Sequence, residues 1–99
     1  MSTVHTFEFR LYIAGDAVNS SRALGNLQAL CRNRLQGRHT IEVVDVFKEP
    51  ARALRDGIFM TPTLLKLQPG PPGKVVGTLS DTATVVRALG LPDKPPAAP

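Results

Sequence analysis

The side chains that could do chemistry in this chain are few, and their spacing works against each familiar use. Cys31 is the single cysteine, so the sequence offers neither an internal disulfide nor a dithiol, and one thiol cannot support a metal centre. The two histidines, His5 and His39, stand far apart with no cluster of further ligands between them, which leaves no metal site. Ser20 and Ser21 have no histidine at a spacing that suggests a proton relay and read as helix caps. Asp45 and Glu49 are the nearest approach to a paired-carboxylate site, and solvated loop residues are the default reading for both. Gly70-Pro71-Pro72-Gly73 lacks the Lys-Ser/Thr ending and the following helix of a phosphate-binding loop. Catalysis is therefore the weak hypothesis, no cofactor is implied, and the search turns to surfaces and the elements that present them.

Periodicity supplies those elements. From Thr6 to Ala14, apolar Phe7, Phe9, Leu11 and Ile13 alternate with Glu8, Arg10 and Tyr12, as in a strand. Gly15-Asp16 breaks the pattern, and Asn19 or Ser20 offers a side-chain oxygen to cap a helix. Ala23, Leu24, Leu27, Leu30, Cys31 and Leu35 then share one stripe at helical spacing, so Cys31 reads as a small buried hydrophobe. Gly25 on this helix suggests a close approach to the sheet. Gly37-Arg38-His39 ends the helix, with His39 read as an exposed loop residue. Ile41, Val43, Val44 and Val46 follow as a β-branched run suited to a strand covered on both faces, inside the sheet or shielded by a partner. Strand, helix and strand in this order form a right-handed crossover with the strands parallel.

Pro50 stands at the first turn of a short helix, Ala51 to Asp56, which Gly57 stops. The stretch Gly57 to Leu67 runs through Thr61-Pro62 into a strand, Thr63 to Gln68. Pro62 reads as a fixed corner, since a proline can open a strand only where its missing N–H is not needed, and both isomers of its peptide bond stay open. Pro69 to Gly73 excludes a helix, and Lys74 to Leu79 returns as an antiparallel strand. Ser80 or Asp81 caps a last segment, Thr82 to Leu89, closed by Gly90. Thr82, Thr84, Val85 and Val86 are β-branched and lower its helix propensity, but the cap and the compact order favour a helix. The expected fold is one α/β domain over residues 1–90, in the order βαβαββα. Its sheet is mixed, with the first two strands parallel and central and the last two forming a hairpin. Leu91 to Pro99 is expected to be a disordered, proline-rich tail.

Composition narrows the partners. Ninety-nine residues, 42% of them apolar, make one domain with a small aliphatic core. No apolar run approaches the roughly 20 residues needed to cross a bilayer, and Met1 to Thr6 lacks the order of a signal peptide, so a cytoplasmic protein without a membrane partner is expected. Twelve Lys and Arg against eight acids give +4, which suits an acidic protein surface or nucleic acid. No aromatic residues interleave with the bases to stack nucleotides, so nucleic acid is not expected as a partner.

Several blocks now stand in a specific order: Leu11-Tyr12-Ile13-Ala14-Gly15, Asn19-Ser20 with Arg22-Ala23-Leu24, Val44-Asp45-Val46-Phe47-Lys48-Glu49-Pro50, Thr61-Pro62-Thr63-Leu64 and Gly77-Thr78-Leu79-Ser80. Over Phe7 to Leu89 the chain resembles the KaiB family of clock proteins. The resemblance implies a thioredoxin-like domain, and the Thr-Pro pair before the third strand fits that layout. A thioredoxin-like redox enzyme would carry Cys-x-x-Cys at the start of the first helix, where this chain reads Asn19-Ser20-Ser21-Arg22. The resemblance also implies a non-enzymatic partner of the KaiC ATPase that binds its N-terminal ring. Such a protein helps turn KaiC from phosphorylation toward dephosphorylation in a circadian or clock-like system, with KaiA or a SasA-like competitor as further partners. It implies fold switching as well, between a tetramer-forming arrangement and the thioredoxin-like state that binds KaiC. The alternative from another class is a degenerate thiol oxidoreductase using Cys31. The chain departs from the family where an aspartate is common in the second place of Gly77-Thr78-Leu79-Ser80, and in its short tail, where clock members carry an acidic extension.

The resemblance assigns the KaiC contact to the region between the second strand and Pro62, comprising Phe47, Lys48, Glu49, Pro50, Arg52, Arg55, Ile58 and Phe59. The residues support this by themselves, because Phe47, Ile58 and Phe59 put bulky apolar groups beside Lys48, Arg52 and Arg55 on a segment too short to bury them all. The competing expectation is that Ile58 and Phe59 plug the core beneath Pro62.

Overall fold

The computed structural model of the protein describes residues 6–92. Its elements run β1 (Phe7–Ile13), α1 (Val18–Arg34), β2 (His39–Asp45), α2 (Pro50–Arg55), β3 (Thr63–Gln68), β4 (Gly73–Val76) and α3 (Thr82–Leu89). The sheet order is β2-β1-β3-β4; β1 and β2 are parallel, and β3 lies antiparallel to both β1 and β4.

Alternation along β1 divides the core in two. Phe9 and Leu11 point to the face covered by α1 and α3, where Ala23, Leu27, Leu30, Cys31, Leu64, Val85 and Leu89 close around them. Tyr12 points to the other face, where Val44, Ala53 and Ile58 bury it beneath α2. Three layers result, with two helices on one side and one short helix on the other.

β2 is an edge strand, contrary to the expectation that it lies centrally. Its β-branched run reflects cover on both faces: Ile41 packs toward the α1 core and Val44 is sealed under α2. Its edge position leaves Val43 41% exposed. His39 is the first residue of this strand and half-buried, not a free loop residue, and its Nδ1 is buried without a hydrogen-bond partner among the described residues.

α1 begins without a side-chain cap, since its N-cap is Ala17, and neither Asn19 nor Ser20 fills that role. Ser20 lies inside the first turn, and its buried hydroxyl accepts from the Ala14 N–H at 3.1 Å, which ties the end of β1 to the helix. Gly25 is exposed and approaches nothing, so it marks no contact with the sheet. The close approach is at Gly73, where a Cβ would stand 2.8 Å from Leu89 Cδ2 and 3.4 Å from the Ala88 carbonyl; glycine lets β4 lie under the end of α3.

β4 stops at Val76 and does not continue to Leu79, because Gly77 at φ 120° turns the chain out. Leu79 adopts φ 64°, a costly conformation for a leucine, and its side chain returns to the core. Asp81 caps α3 by accepting from the Thr84 N–H, and Gly90, left-handed at φ 63°, ends it. That cap and the burial of Val85 and Leu89 settle the β-branched segment as helix. Leu91, expected to belong to the tail, is buried in the core and donates its N–H to the Val86 carbonyl at 3.0 Å. The expectation of disorder from Asp93 onward lies outside the described residues. The peptide bonds Thr61-Pro62, Gln68-Pro69 and Gly70-Pro71 are cis.

Candidate functional surface at the end of the sheet

Three loops meet beyond the C-terminal ends of β1 and β2. They join β1 to α1, β2 to α2, and α2 to β3. The second is held by Asp45, whose Oδ1 accepts from the N–H groups of Phe47 at 2.9 Å and Gly15 at 3.3 Å, while its carbonyl accepts from Lys48 and Glu49. Asp45 is thus a loop tie and not half of a carboxylate pair; Glu49 turns instead to Arg52. Fixed this way, the Phe47 ring lies across Gly15 and stays 75% exposed.

The third loop splits the pair that sequence reasoning treated together. Ile58 donates its N–H to the Ala53 carbonyl at 2.9 Å and buries its side chain against Tyr12 and Val44. Phe59 turns outward and is 89% exposed, and Met60, which sequence reasoning missed, is 65% exposed beside it. The carbonyl of Met60 accepts from the Thr63 hydroxyl, fixing the bend before the strand. Phe47, Phe59 and Met60 rim a shallow cleft of about 210 Å³ floored by Val46, Ala53 and Ile58. The one sequence signal for Met60 was its place in an apolar run, Ile58-Phe59-Met60, just before a proline corner, and hydropathy alone reads such a run as core.

The charged residues of the candidate surface divide as well. Lys48 and Arg55 are exposed, and Glu49 and Pro50 form the exposed start of α2. Arg52 faces inward to a network. Its guanidinium donates to Glu42 at 2.8 Å and Glu49 at 3.3 Å; Arg10 donates to Glu42 at 2.8 Å and Asp56 at 3.0 Å; and the Tyr12 hydroxyl donates to Asp56 at 2.5 Å. These bonds fasten α2 to β1 and β2. Tyr12, whose hydroxyl donates to it, and then Arg10 hold the Asp56 carboxyl below its ordinary range, and bonds from Arg10 and Arg52 do the same for Glu42. Burial, followed by the neighbouring Asp56, raises the Tyr12 phenol.

The positions at the start of α1 hold no thiol. Cys31 sits well along the helix, fully buried, and burial pushes its thiol up to about 11. A neutral, inaccessible sulfur is not a nucleophile. Among the described residues no group of three or more His, Cys, Asp or Glu is placed to hold a metal ion, and no helix is long and apolar enough to cross a membrane.

A sequence model of the KaiB domain matches residues 10–91. This chain belongs to the KaiB family. Relatives described as circadian clock oscillator protein KaiB include one from Prochlorococcus marinus (strain MIT 9312), 40% identical over 91 residues, which cover 92% of this chain and 87% of the relative. Another, from Gloeothece citriformis, is 42% identical over 86 residues, covering 87% and 81%. Among solved structures, the N-terminal domain of SasA from Synechococcus elongatus superposes with a TM-score of 0.72 at 15% identity, covering 88% of this chain and 86% of that domain. Mitochondrial thioredoxin 3 from Saccharomyces cerevisiae gives 0.67 at 18% identity, covering 85% and 77%. At such identities the likeness is one of fold, and the fold of this KaiB-family chain is thioredoxin-like.

Proposed function

We propose that this KaiB-family chain is a non-enzymatic, cytoplasmic regulator. It binds the N-terminal ring of a KaiC-type ATPase through the loop surface around Phe47, Phe59 and Met60, and so modulates the ATPase's phosphorylation state in a circadian or clock-like system. The observation that carries this reading is the exposed apolar rim itself: three large side chains stand in solvent around one cleft, with Lys48 and Arg55 nearby, on a backbone that internal hydrogen bonds hold in place. An apolar centre with a charged margin is the composition of a modest protein interface. The proposal includes exchange between this thioredoxin-like state, which docks, and a tetrameric KaiB arrangement, which does not; KaiA and a SasA-like sensor are the further partners it admits.

The test is affinity for a KaiC-type ring. Phe59→Ser and Lys48→Glu, both on exposed side chains, are expected to weaken binding by about tenfold or more when combined, with unchanged far-UV circular dichroism. Unaltered affinity rules out this face. Arg52→Glu is unsuited to the purpose, because it breaks the network that holds α2. A thiol oxidoreductase reading would require insulin reduction that vanishes in Cys31→Ser, and the buried sulfur predicts no such activity.

A further inference from the structure

Charge is segregated by layer in this molecule. All five ion pairs among the described residues lie on β1, β2 and α2 with its two cap residues, three of them between elements and two within α2 and its caps. On the opposite side, Arg22, Arg32 and Arg34 of α1, Lys66 of β3 and Arg87 of α3 have no carboxylate within ion-pair distance among those residues. Two of these arginines face one groove. Arg34 and Arg87 line a cleft of about 450 Å³ between α1 and the end of α3, whose remaining wall is apolar and includes Ala83, Val86 and Leu91. Arg87 and Gly90 continue into a second cleft of about 270 Å³, lined also by Lys66 and the 69–72 loop.

Lys66 is the unusual member. It is only 4% exposed, yet no side chain or carbonyl among the described residues bonds its ammonium. Its stem lies on the Leu64 face of the sheet, and its Nζ would stand 3.8 Å from a Cβ at Gly90, beside the C-terminus of α3. The helix dipole favours a cation there. Asp81, whose carboxylate feels the charge of Arg87, is committed to capping α3.

We propose that the continuous groove along α3 is a docking site for an acidic peptide segment that also carries aliphatic side chains. Its carboxylates would pair with Arg34, Arg87 and Lys66, and its apolar groups would rest on Val86 and Leu91. Guanidinium forks match carboxylates in bidentate geometry, and the apolar wall gives a peptide a use for its aliphatic groups that a sugar-phosphate backbone lacks. Among the described residues no aromatic side chain lines either cleft to stack a base, which favours peptide over nucleic acid. This surface lies on the α1 and α3 side of the sheet and is independent of the loop surface proposed above.

The experiment is fluorescence anisotropy of the full chain with a fluorescein-labelled peptide of alternating glutamate and leucine, at two salt concentrations. Saturable, salt-weakened binding is expected, reduced about tenfold or more in Arg34→Glu/Arg87→Glu. Arg22→Glu/Arg32→Glu changes net charge equally on exposed positions outside the groove and is expected to retain most of the affinity. Lys66→Met, which keeps the packed stem, is expected to weaken binding severalfold with the fold intact. No saturable binding, equal losses in the two double variants, or tighter retention of a short DNA duplex through Arg34 and Arg87 would each overturn the proposal.

Discussion

Ile58 and Phe59 are adjacent and similarly apolar, yet one is a core residue and the other stands almost wholly in solvent. The difference comes from Gly57, whose positive φ ends α2 and sends the next N–H back to the Ala53 carbonyl, so that only Ile58 is drawn inward. Arg52 shows the converse: by composition it belongs to the charged margin of an interface, but it is spent on Glu42 and Glu49. Gly73 is a third position where one atom decides. A Cβ there would press on the buried Leu89 side chain with the α3 backbone immediately behind it. Gly73→Ala is therefore expected to cost about 1–3 kcal/mol, the range for overpacking a tight site. Urea denaturation reads this directly, and a midpoint unchanged from wild type would show that the end of α3 yields freely.

At the scale of elements, α2 depends on its polar attachments more than on buried area. It is a six-residue helix with one buried side chain, Ala53, and isolated helices of this length do not persist in water. The Tyr12, Arg10, Asp56, Glu42 and Arg52 network supplies the remainder, and it has a predictable pH response. Asp56 and Glu42 both have folded values held below those of the unfolded chain, near 3.9 and 4.3. Their contribution is present above those unfolded values and is lost as pH falls through the lowered folded ones. Tyr12 shifts the other way; its raised value keeps it neutral, and its contribution fades only as pH rises through that value. Thermal melts are expected to show a loss of stability below about pH 4. In Asp56→Asn that loss is expected to be shallower, with stability at neutral pH reduced by about 1–2 kcal/mol. An unchanged acid limb in the variant would remove Asp56 from the explanation.

The whole molecule places two kinds of surface on different sides of one sheet. Loops at the C-terminal ends of the parallel strands carry exposed aromatic and methionine side chains, while α1 and α3 carry cations without an ion-pair partner among the described residues. Both depend on the second half of the chain being strand, strand and helix. Backbone chemical shifts in solution are expected to be strand-like across Leu64 to Leu67 and helical across Thr84 to Val86. The inverse pattern would mean that the alternative arrangement included in the proposal predominates, and the proposed surfaces would then exist only in a minor population.

By itself the sequence determined the element order, the limits of β3 and α3, the burial of Cys31 and the family, because each rests on short-range information: alternation along a strand, a helical stripe, a cap three residues from its N–H, a glycine after a last turn. What it left undecided depends on residues distant in the chain. β2 looked central because Ile41, Val43, Val44 and Val46 are apolar on both faces, and two-sided cover by α1 and α2 produces that signature at an edge as readily as in the interior. Leu91 looked like tail because a proline-rich stretch follows it, whereas the end of α3 carries it into the core. Arg34 and Arg87 are 53 positions apart in sequence, and only the packing of α3 beside α1 sets them in one groove. Local chemistry fixed the pieces, and the tertiary structure decided which side chains were used internally and which remained for a partner.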